Sequence, residues 1–108
     1  LDLEKELINV QKLTKEVEDA NLAADRSAAE AKESAKNLTK DPGNSKLSKR
    51  ADKAARRAAK DAKKARKLND ELGDSNDEVK SLQREIEDLQ RELSSLEKKI
   101  DFAPNTSQ

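Results

Sequence analysis

The sequence predicts an all-α protein: an antiparallel helical hairpin, an Ala-rich coiled coil, whose second helix extends into a Leu/Ile heptad zipper. Three observations carry this expectation. Apolar residues recur at heptad spacing on both sides of a single Pro-Gly pair. The two apolar patterns mirror one another through that pair. The composition is that of long helices: of 108 residues, 43% are charged and 32% apolar, with one aromatic (Phe102), two Gly and two Pro. A bias toward Ala, Glu, Lys, Leu and Arg marks coiled coils and long helices. Ordinary cores draw much of their buried area from aromatics, so a compact globular core is not expected. The length sets one domain as the ceiling.

The first helix is expected over 1–39. Its seam steps by seven through Leu3, Val10, Val17, Ala24, Ala31 and Leu38. Leu13 and Ala20 fill the intermediate positions, followed by Ser27 and Ser34, while Leu7, Ala28 and Ala35 flank the stripe. A repeat of alternating three- and four-residue steps keeps one face apolar. That face narrows toward the C-terminal half.

Residues 40–45 read as a turn, Lys40-Asp41-Pro42-Gly43-Asn44-Ser45. Pro42 and Gly43 at its centre suit a type II turn, with glycine accepting positive φ. Asn44 or Ser45 can cap the next helix. The heptad phase slips by one residue here, which disfavours a straight helix through the break.

The second helix is expected over 46–100. Leu47, Ala51, Ala54, Ala58, Ala65, Leu68, Leu72, Val79, Leu82, Ile86, Leu89, Leu93, Leu96 and Ile100 all fall on a or d positions of one register. Asp61 and Ser75 are its lapses, and Ala62 sits beside the first. Gly73 with Ser75 and Glu78 offers a helix stop and a capping box. A break at 73–76 is therefore an alternative, giving a three-helix bundle over 1–39, 46–72 and 76–100, and a local kink or frayed turn near Gly73 is expected even in a single helix. The preserved phase from Leu72 to Val79 favours one helix. Asp101 onward reads as a disordered tail, since Pro104 stops the helix.

Folding at Pro42-Gly43 sets leucine against leucine beside the turn (Leu38, Leu47). Alanines then face alanines (Ala31 with Ala54, Ala28 with Ala58, Ala20 with Ala65), and large residues face large ones (Val17 with Leu68, Leu13 with Leu72, Leu3 with Leu82). Small facing residues let helices approach closely. The mirror ends near Arg84. Ile86, Leu89, Leu93, Leu96 and Ile100 then lack a partner within the chain, and an oligomer interface is expected over Val79, Leu82, Ile86, Leu89, Leu93, Leu96 and Ile100. A homo-oligomer is expected, a dimer before other strand numbers, and the seam is compatible with a parallel dimer; a hetero coiled coil, or cover by a part of the parent protein upstream of Leu1, is the alternative.

Charge is unevenly distributed although it sums to zero. Residues 46–67 carry 11 Lys+Arg against 2 Asp+Glu, whereas 68–108 carry 5 against 11. Arg50, Lys53, Arg56, Arg57, Lys60, Lys63, Lys64 and Lys67 form a candidate surface for an acidic protein partner, a nucleic acid or a sulfated polysaccharide. The plainer reading is a solvated face that keeps an Ala-rich hairpin soluble. No aromatics interleave to stack bases, which disfavours single-strand readout. Attraction between the basic stretch and the acidic segment of another copy would bias assembly toward staggered or antiparallel contacts.

With no His and no Cys, the commonest metal ligands and acid–base or thiol chemistry are missing. No enzyme activity, cofactor or metal site is expected, and Asp74-Ser75-Asn76-Asp77-Glu78 reads as a helix-start cluster because it lacks EF-hand spacing. No apolar run approaches a membrane span. Two glycosylation sequons, at Asn37 and Asn105, exceed chance only slightly, so a cytoplasmic and an extracellular rod are both compatible. The pattern is already running at Leu1, so the chain reads as a piece of a longer protein. Its composition resembles rod segments of tropomyosin-like, laminin-type and bacterial surface coiled coils, with no motif that selects among them. The expected role is that of a structural or interaction segment: oligomerisation, spacing, and display of a helical binding surface.

Overall fold

Two helices account for the structure, a computed structural model that describes residues 2–102, with side chains described through 100. Helix α1 spans Asp2–Lys40 and helix α2 spans Ser45–Phe102. They pack against each other along α1 in a rod of 100 × 17 × 13 Å. The antiparallel hairpin is thus observed, with bounds within two residues of those expected. The three-helix alternative is excluded, because α2 runs unbroken through Gly73 and on to Phe102. Helix also occupies 101 and 102, where a tail was expected; the remainder of that expected tail lies outside the described residues.

The link between the helices differs from expectation in one respect. The Asn44 amide donates to the Asp41 carbonyl at 3.1 Å, closing a four-residue turn around Pro42 and Gly43. Gly43 does not have positive φ, so the turn is not type II. Proline at its first central position suits type I equally well, and that geometry leads directly into a helix. Asn44 is the cap: its Oδ1 accepts from the backbone amides of Lys46 at 3.0 Å and Leu47 at 3.2 Å. Its Nδ2 also donates to Asp41 Oδ2 at 3.2 Å, tying the cap to the end of α1.

The buried residues are those of the predicted stripe. Leu13, Val17, Ala20 and Ala65 form the core, with Ser27 and Ser75 buried among them. Leu3, Val10, Ala24, Ala31 and Leu38 on α1 are half-buried, as are Leu47, Ala51, Ala54, Ala58, Leu68 and Leu72 on α2. Among the described residues four hydrogen-bonded pairs span the helices, Asn9–Ser75, Glu6–Ser75, Ser27–Asp61 and Asn21–Asn69. Each joins residues within about one and a half helical turns of the positions that the mirror predicts.

Glycine weakens a helix interior through its backbone freedom, and at Gly73 nothing in the fold requires it. A methyl group there would meet no neighbour within 4 Å. Gly73→Ala should therefore stabilise the hairpin by about 1 kcal/mol. A raised urea midpoint with an unchanged slope is the expected result, and a lowered midpoint would show that α2 needs a flexible point there.

Candidate functional site

Helix length creates the main candidate surface. At 1.5 Å per residue, the 58 residues of α2 outrun the 39 of α1 by roughly 30 Å. Because the turn aligns the helices at one end, the whole excess projects at the other. The change in burial along the a and d positions follows this geometry. Val79 and Leu82, still alongside α1, are half-buried. Ile86 sits at the edge of the cover and is 39% exposed. Leu89, Leu93, Leu96 and Ile100 are between 56% and 72% exposed. The seven residues expected to form one seam thus divide between the base of the hairpin and the overhang.

The charges of the overhang divide between its outer face and the two edges of this stripe. Arg91 lies on the opposite face and pairs with Glu87 at 3.9 Å and Asp88 at 3.5 Å on its own helix. Glu85, Glu92, Glu97 and Lys99 flank the stripe at the positions that face a partner in a coiled coil. The other large exposed apolar side chains, Leu7, Ile8 and Leu22, lie on α1. Lys15 separates Ile8 from Leu22 on the outer face, and single exposed residues of this kind are ordinary.

The basic stretch forms a second surface. All eight candidates, Arg50, Lys53, Arg56, Arg57, Lys60, Lys63, Lys64 and Lys67, are exposed. Their positions fall on one continuous outer band of α2, opposite the seam and toward one edge. Arg56 pairs with Asp52 at 3.3 Å. Glu30 and Glu33 of α1 line the same open groove as Arg50, Lys53, Arg57 and Lys60. The band is therefore basic at its outer face and mixed where it meets α1.

Two polar clusters interrupt the seam, at the two lapses of the α2 register. Ser27 donates to Asp61 Oδ2. Ser75 accepts from Asn9 Nδ2 at 2.9 Å and donates to Glu6 Oε1. These clusters were not anticipated as pairs. Applied to the polar residues, the alanine mirror sets Ser27 opposite Ala58, Asp61 opposite Ala24 and Ser75 opposite Val10, so it does not signal these pairs, which join neighbouring layers of the seam. Among the described residues no buried side-chain nitrogen or oxygen lacks a partner. Each lapse is thus a satisfied contact between the helices.

Among the described residues no group of three or more acidic side chains could hold a metal ion. No described helix is long and apolar enough to cross a membrane. The chain matches no protein-family model, no curated protein and no solved structure.

Proposed function

We propose that this chain is a non-enzymatic coiled-coil segment of a larger protein that oligomerises through its overhang and uses the hairpin as a spacer. The overhang carries the reading. Leu89, Leu93, Leu96 and Ile100 stand on one stripe, each more than half exposed. At about 1.5–3 kcal/mol for full burial of each, covering them is worth about 4–7 kcal/mol per chain after discounting for what is already shielded. A contiguous apolar stripe of this kind marks an interaction site. The spacer role rests on the hairpin's length and on its alanine seam, which gives a thin rod.

Sedimentation equilibrium over a wide concentration range tests this reading. The parent chain is expected to self-associate, and Leu93→Asp to be a helical monomer. A parent that stays monomeric at every concentration would overturn the homo-oligomer.

A second reading is favoured by the eight exposed basic side chains: a surface for a polyanion such as duplex nucleic acid or a sulfated polysaccharide. Its signature is binding that falls steeply with added salt as counterions are released. The carboxylates of Glu30 and Glu33 at its edge make it the weaker of the two.

A further inference from the structure

The exposed stripe on α2 continues the covered one in the same heptad register. Leu72 and Val79 lie under α1, and Leu93 and Ile100 occupy equivalent positions beyond it. Whatever covers the overhang must lie in line with α1, in the lane that α1 leaves near Leu82. This restricts the direction in which a second copy can dock.

We infer that the overhang pairs with the overhang of a second copy running antiparallel, so that two hairpins join end to end. This rests on the oligomerisation reading above and specifies its geometry. Leu89 faces Ile100 of the second copy, and Leu93 faces Leu96 of the second copy. The two-fold axis repeats both contacts.

Space is the first reason. In a parallel pair the a and d faces of both α2 helices point at each other. Along Leu47 to Leu82 those faces are already occupied by α1. The α2 axes would have to diverge from the 8–10 Å of a helix pair to about three times that, so as to admit both α1 helices, within a turn or two. Sharp kinks need a proline, a glycine or a similar defect, and α2 has neither residue between Leu82 and Phe102. An antiparallel partner enters from the open end and takes the lane without displacing α1.

Charge is the second reason, and it also sets the register. In the antiparallel pairing Glu92 lies beside Lys99 of the second copy, twice by symmetry. In a parallel pairing Glu92 would lie beside Glu97 of the second copy, also twice. Sliding the antiparallel pair one heptad deeper would set Glu92 against its own symmetry mate. It would also drive the last turn of the second copy onto Leu3, which covers Leu82. Neither Glu92 nor Lys99 has an ion-pair partner among the described residues. The register with Glu92 beside Lys99 therefore satisfies both constraints together.

Sedimentation equilibrium and small-angle X-ray scattering on the full chain test this inference. Two 100 Å rods overlapping by roughly 25 Å give a dimer about 175 Å in longest dimension. Lys99→Glu is expected to weaken the dimer about tenfold by making both flanking contacts repulsive. The double variant Glu92→Lys/Lys99→Glu should restore it, and Glu97→Lys should leave it within about twofold of the parent. A dimer little longer than the single 100 Å rod, strengthened by Glu97→Lys and indifferent to Lys99→Glu, would overturn the antiparallel geometry and leave oligomerisation standing. A parent that is monomeric throughout would overturn both.

Discussion

Val17→Asp is expected to unfold the hairpin. Val17 is 7% exposed, at the centre of the run Leu13, Val17 and Ala20 that makes up most of the core. The register sets Leu68 opposite it, so a carboxylate there would replace an apolar contact at the centre of the seam. An uncompensated buried charge costs about 3–5 kcal/mol. Whole domains are stable by only about 5–15 kcal/mol, and a rod 17 Å wide with four buried apolar side chains belongs at the low end. The variant should lose most of its helical circular dichroism at 25 °C, because helices held apart from a partner face are only marginally stable in water. Ile8→Asp is the matched control. Ile8 is 66% exposed on the outer face, and such a substitution should shift stability by no more than about 0.5 kcal/mol. A Val17→Asp protein that melts cooperatively near the parent temperature would show that the seam does not hold the helices together.

Ser27→Ala should destabilise the hairpin more than its size implies. The β-carbon remains and only the hydroxyl is lost, so the main loss is the hydrogen bond to Asp61. Hydrogen bonds to charged groups are worth about 1.5–3 kcal/mol, and Asp61, half-buried on an open groove, places this one at the low end. The Ser27→Ala/Asp61→Ala double variant removes both partners and should recover most of the loss. In a double-mutant cycle followed by urea unfolding, the coupling energy should exceed about 1 kcal/mol. Strictly additive single effects would mean that the contact between Ser27 and Asp61 is incidental.

The fold was legible because the heptad step and the turn are both local signals with a long-range consequence. Once Pro42-Gly43 is the hinge, the pairing of Leu38 with Leu47 sets every later pair, and alanines find alanines without further information. Continuity at Gly73 was also legible, through the phase kept from Leu72 to Val79. The turn type was not. Pro-Gly is compatible with either sign of φ at glycine, and the choice depends on how Asn44 caps α2 and grips Asp41, which composition does not reveal. The overhang could be read from length alone. The polar clusters at Asp61 and Ser75 were visible only as lapses, because a d-position serine or carboxylate gives no sign of its partner until the helices are in register. The basic band was legible as charge, whereas the intrusion of Glu30 and Glu33 at its edge depends on the rotation of α1 about its axis.

The hairpin turn carries a mechanical consequence. Since α1 starts beside Leu82 and α2 ends at Phe102, tension applied at Asp2 and Phe102 acts at the open end of the rod. It peels the helices apart one seam layer at a time, beginning with Leu3 and Leu82, and never loads the whole seam in shear. Tension applied instead to the two distal tips of an end-to-end dimer would slide the overhangs past each other and load all their layers at once. The same short stretch of leucines would then resist far more force than the longer alanine seam. A weak zipper and a strong tether can thus be built from one helix, distinguished only by the direction of the pull.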